Sequence, residues 1–74
     1  METLQRTAAE ARRLLEEGTP AAADLVLRDA LAANPRDPGA WSALSRVAEA
    51  FGEWERAERY RIVASALDLS REVA

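Results

Sequence analysis

Gly18 and Gly52 stand 34 residues apart, and shifting the chain against itself by that amount also brings Ala23 onto Ala57, Ala30 onto Ala64 and Arg12 onto Arg46. The same shift pairs Ala9 with Ala43 and Ala32 with Ala66. Alanine is so common here that alanine matches alone carry little weight. The glycines fix the register, because each suits the left-handed position just past a helix end, where a side chain is penalised. Each therefore marks a tight turn between two helices. A chain with such a period is built from stacked units, none of which can bury its apolar face alone.

Helices are expected on both sides of these turns. Alanine and leucine are the commonest residues, against one isoleucine, four valines and three threonines, a balance that favours helix throughout. Thr19 before Pro20 and Asp37 before Pro38 each set a capping oxygen ahead of a proline at the first helical position, where its missing N–H costs nothing. Helices therefore restart at both sites, and the expected spans are about 3 to 17, 20 to 33, 38 to 51 and 53 to 69. Pairs at i,i+4 spacing mark solvated faces: Glu2 with Arg6, Arg6 with Glu10, Arg12 with Glu16, Arg13 with Glu17, Asp24 with Arg28, and Glu55 with Arg59. They read as helix support and solubility.

The composition excludes most chemistry. Among 74 residues there is no cysteine and no histidine, and all ten cations are arginine. No thiol nucleophile, imidazole base, lysine amine or staple of disulfide or zinc is available, so no metal and no cofactor is expected and the chain reads as a non-enzyme. Ser42, Ser45, Ser65 and Ser70 have no base to activate them, and no glycine-rich phosphate loop exists. A formal charge of −3 with scattered cations argues against nucleic acid and against an anionic membrane. No run approaches the ~18 apolar residues of a transmembrane helix, and the first residues lack the apolar segment of a signal peptide. The expected location is cytoplasmic, and the expected organisation is one domain over residues 1–74.

A period of 34 in paired helices is the tetratricopeptide spacing. In the second unit, Trp41, Leu44, Gly52, Trp54, Ala57, Ala64 and Leu67 fall where that family has its tryptophan, leucine, turn glycine, aromatic, small alanines and late apolar residue. In the first unit Gly18, Ala23, Leu27, Ala30 and Pro35 fit. The chain thus resembles the tetratricopeptide repeat family, with repeat 1 at about 4–37 and repeat 2 at about 38–71. The resemblance implies an all-α fold of two helix-turn-helix hairpins, four antiparallel helices in a right-handed superhelical arrangement. It also implies a protein–protein interaction module that binds a partner peptide or helix.

The residues give their own reasons. Ala23 and Ala57 lie opposite the first helix of their own hairpins, where a small side chain lets two backbones approach. Trp41, Leu44, Ala48 and Phe51 form the apolar stripe of the third helix, and Trp54 is expected as a partly exposed staple over the Gly52 turn. There are departures from the family pattern. Thr7 and Glu10 stand at the positions of Trp41 and Leu44, so the first helix packs through Leu4, Ala8, Ala11, Leu14 and Leu15 instead. Arg61 replaces an aromatic, and Leu69 replaces the closing proline, so the last helix is free to extend toward Val73.

Two units should leave a face open, since three or more are usually needed. On the last helix Ala57, Tyr60, Ala64 and Leu67 gather on one side to meet Trp41 and Leu44, while Ile62, Ala66, Leu69 and Val73 gather on nearly the opposite side. The second stripe has nothing in this chain to cover it. A second copy in a two-fold homodimer is the favoured occupant; a different protein, a further part of a longer solenoid, and a patch left open on a monomer are the alternatives. A purely structural oligomerisation element with no client groove is the second function class.

Resemblance further implies that the first helix of each unit lines the surface where partners lie. The groove candidates are then Gln5, Ala9, Arg12 and Glu16 with Ser42, Ala43, Arg46 and Glu49. Arg12 and Arg46 repeat in register and together suit a carboxylate, through forked charge-assisted hydrogen bonds. Against this, Glu16 and Glu49 stand one turn from the two arginines and could simply neutralise them. The asparagines that accompany the basic residues in carboxylate-binding members have no counterpart, positions 9 and 43 both being alanine.

Overall fold

Four helices follow one another, α1 (Glu2–Glu16), α2 (Pro20–Ala33), α3 (Pro38–Ala50) and α4 (Trp54–Val73). A computed structural model describes the backbone of residues 2–73 and the side chains of residue 7 and residues 9–70. Among the described residues there is no strand.

The two hairpin turns are copies of each other at the level of single hydrogen bonds. Gly18 N–H donates to the Leu15 carbonyl at 3.1 Å and Thr19 N–H to Leu14 at 2.8 Å; Gly52 N–H donates to Glu49 at 2.9 Å and Glu53 N–H to Ala48 at 2.9 Å. Every donor and acceptor recurs 34 positions on. Both glycines sit in the left-handed region, at φ 80° and 76°, as a Schellman ending requires. The repeat visible in the sequence is thus a repeat of turn geometry.

Between the hairpins, Asp37 caps α3 as expected, its Oδ1 accepting from Gly39 N–H at 3.2 Å. Thr19 does not cap α2. Its hydroxyl instead donates to the Leu14 carbonyl at 2.8 Å, so the side chain closes the end of α1 rather than opening the next helix. Trp41 ties the inter-repeat loop down: its indole Nε1–H donates to the Pro35 carbonyl at 2.8 Å, while its ring meets Tyr60 at 5.8 Å between centroids. The indole therefore packs at the core's edge with its polar handle satisfied.

Helix α3 is the centre of the arrangement. It touches α1, α2 and α4, whereas α4 packs mainly on α3, with Tyr60 also reaching Arg28 on α2. Leu27, Leu44 and Val47 are fully buried, and each contributes about 1.5–3 kcal/mol relative to an exposed side chain. Ala11, Ala23 and Ala40 complete this cluster, with Leu14, Leu15, Leu31, Trp41 and Tyr60 against it. Ala23 and Ala57 have no exposed surface, in keeping with close helix approach at both hairpins. Ser45 is the buried polar residue of α3, and its hydroxyl donates to the Ser42 carbonyl at 2.6 Å.

Some expectations need correction. Phe51 does not extend the core stripe of α3; it is the residue after the helix and stands 49% exposed, because the turn into Gly52 swings it outward. Helix α4, by contrast, begins at Trp54 and runs on to Val73, the extension that the missing closing proline leaves open, since neither glycine nor proline interrupts it. Of the expected ion pairs between described residues, Asp24–Arg28 forms at 2.7 Å, while Arg12–Glu16, Arg13–Glu17 and Glu55–Arg59 do not. Exposed pairs of this kind gain too little to hold two long side chains together. Leu4, Ala8 and the pairs of Glu2 and Arg6 lie outside the described side chains.

Candidate functional site

Two surfaces carry the residues singled out by the sequence. The first is a cleft between α1 and α3, with a volume of about 230 Å³, lined by Arg12, Leu15, Gly39, Ser42, Ala43 and Arg46. It continues into a more open depression of about 460 Å³ that adds Glu16, Glu49 and Ala50. The structure thus brings Arg12, Glu16, Ser42, Arg46 and Glu49 to one surface; Gln5 lies outside the described side chains. Leu15 and Gly39 were not among the groove candidates. Gly39 is readable only as the residue after a helix-starting proline, and Leu15 only as core, although it is half-buried and lines the cleft with the two arginines.

The electrostatics of this cleft turn on Glu49. It does not neutralise Arg46. Arg61, reaching across from α4, donates a short hydrogen bond to Glu49 Oε2 and another to Glu58 Oε2 at 2.8 Å. Hydrogen bonds to Glu58 and then Glu49 push the Arg61 guanidinium above its ordinary value. Arg12 and Arg46 make no ion pair with any described residue, and both are exposed. Two guanidinium groups from equivalent positions of the two repeats therefore line one cleft without an ion-paired carboxylate among the described residues.

The second surface is the outer side of α4. Ile62 and Leu69 are 59% and 61% exposed, Ala66 is exposed between them, and Val73 lies outside the described side chains. A shallow groove runs along them, bordered by Glu58, Arg61 and Ser65. Glu58 and Ser65 stand four residues before and three residues after Ile62, with Arg61 directly before it, an arrangement available in the sequence once the helix is phased. On the opposite side Ala57 and Ala64 are buried and Tyr60 and Leu67 half-buried against α3, as the phasing of α4 anticipated. Trp54 stands 65% exposed beside the Gly52 turn, in an open hollow with Glu53, Glu55, Arg56 and Arg59.

Comparison with known proteins agrees with this architecture. Searches of the curated proteins and of the solved structures return no match. The sequence profile of the tetratricopeptide repeat matches residues 14–68, which spans both glycine turns, the inter-repeat loop with Trp41 and the buried alanines of α2 and α4. With four helices in two identical hairpin turns and most of its length matched, this chain belongs to the tetratricopeptide repeat family, whose domains are generally protein–protein interaction modules.

Proposed function

We propose that this chain is a two-repeat adaptor that holds an acidic partner segment, a peptide or helix, in the cleft between α1 and α3. The observation that carries the reading is the pair Arg12 and Arg46, exposed, one repeat apart and without a described carboxylate partner. A carboxylate entering between them accepts charge-assisted hydrogen bonds from two planar donors, with Leu15 and Ala43 offering apolar contact below. Titration of an acidic C-terminal peptide tests this. Wild type should bind it with salt-sensitive affinity and Arg46→Ala should bind about tenfold more weakly, an effect of the size expected for a lost charged hydrogen bond; equal, salt-insensitive affinities contradict the reading.

A second activity, self-association through α4, is favoured by the exposed Ile62, Ala66 and Leu69 stripe. Large exposed aliphatic side chains in line on one helix mark interaction sites. Self-association and partner binding are compatible, because the cleft lies on α1 and α3 and the stripe on α4. Oligomerisation without any client is separated from the adaptor reading by whether a non-self peptide binds at all.

A further inference from the structure

The cleft between α1 and α3 changes sign along its length. Its less open part is lined by Arg12 and Arg46 with Leu15, Gly39, Ser42 and Ala43, with no acidic residue in the lining. The depression that continues it keeps the two arginines and adds Glu16 and Glu49. On both helices the lining advances toward higher residue numbers, so α1 and α3 run the same way and each sets an acid one turn beyond its arginine. Four residues separate Arg12 from Glu16 and three separate Arg46 from Glu49, a rise of about 4.5–6 Å along the helices.

The two acids are not equivalent. Glu49 is already held by Arg61. Glu16 is exposed and makes no ion pair with a described residue, Arg12 four positions before it included. It is also the last residue of α1, where the helix dipole adds its own negative end. Arg13, in the same turn, lines neither part of the cleft. A carboxylate so placed attracts a cation and repels a second carboxylate. An acidic run laid along the cleft would therefore lose at Glu16 part of what it gains at the arginines.

Resting on the acidic-segment reading above, we propose that the segment this cleft takes alternates in charge: an acidic side chain between Arg12 and Arg46, and a lysine or arginine two residues away against Glu16, in an extended chain. Two residues of extended chain cover about 6.6 Å and return the side chain to the same face, which matches the step from Arg12 to Glu16. Directly neighbouring residues point to opposite faces, so an adjacent base cannot serve Glu16 while the acid serves the arginines. Helices α1 and α3 touch, so the cleft is a seam between packed helices, which suits a single extended chain better than a helix about 10–12 Å across.

NMR titration of the isotope-labelled chain with acetylated, amidated peptides measures such binding even when it is weak. One peptide carries a single glutamate in an uncharged background, two others add an arginine two residues before or two residues after it, and a fourth sets the arginine directly beside it. One of the two spaced peptides should bind about twofold to fivefold more tightly than the glutamate-only peptide, the range of an exposed ion pair. Glu16→Gln should abolish that gain without weakening the glutamate-only peptide, and Glu16→Arg should turn the spaced arginine into a penalty. Both changes fall on an exposed residue at a helix end and leave the core intact. No gain from either spaced peptide, an adjacent arginine that helps as much, or a gain that persists in Glu16→Gln overturns the alternation while the acidic reading stands. Binding by none of the four peptides overturns the acidic reading, and the alternation with it.

Discussion

Arg61 on α4 holds Glu49 on α3, and in doing so it takes the carboxylate that stands three residues from Arg46. One tertiary ion pair thus engages the acidic residue at the rim of the cleft that Arg46 lines. If Glu49 still tempers the cleft from its rim, Glu49→Gln should tighten an acidic peptide about twofold to fivefold, within the range of exposed charge effects. Arg46→Ala should move affinity the other way. Calorimetric titration at two salt concentrations checks both, and an unchanged affinity in Glu49→Gln removes Glu49 from the electrostatics of binding.

Gly52→Ala should cost about 1–2 kcal/mol, because φ is 76° and a Cβ there is strained even though it meets nothing within 4 Å. Gly18→Ala should cost the same for the same reason, its φ being 80°. Gly39→Ala is the contrast: it lies in the first turn of α3, where its added Cβ meets only Asp37 Oδ1 at 3.4 Å, and it should be neutral or stabilise by about 0.4–1 kcal/mol. Urea denaturation of the three variants distinguishes a strained turn from a merely crowded one.

The turn glycines, the proline starts and the alanine pairs made the helices and their register legible before any coordinates, because each of those residues answers to a local rule. The exposure of Phe51 and the hydroxyl of Thr19 turning back to Leu14 were not legible, since both depend on how the chain leaves a helix rather than on spacing. The candidate cleft was legible residue by residue but not in its charge. Spacing set Glu49 beside Arg46, whereas the partner that takes it, Arg61, lies twelve positions away and arrives only through the packing of α4 on α3.

Leu27 and Leu25 are neighbours in α2 with opposite surroundings. Leu27→Ala should destabilise by about 2–5 kcal/mol, since the side chain is fully buried among Ala11, Leu44 and Val47. Leu25→Ala, at a position 70% exposed, should stay within about 0.5 kcal/mol. Thermal melts followed by circular dichroism measure the difference, and similar losses at both sites would contradict the placement of α2.

Trp41→Phe should cost about 1 kcal/mol beyond its packing change, the worth of the indole hydrogen bond to the Pro35 carbonyl. The loss should appear as faster amide exchange at the inter-repeat loop, where that bond holds Pro35 to α3. Uniform exchange across the chain would show that the loop is held by other contacts.

The claim that the outer face of α4 joins two copies is tested most directly by light scattering of wild type and Leu69→Glu across a concentration series. Wild type should approach twice the 8.1 kDa chain mass as concentration rises, while Leu69→Glu should remain at the chain mass with its helix content unchanged. A single-chain mass for both proteins at every concentration would contradict it.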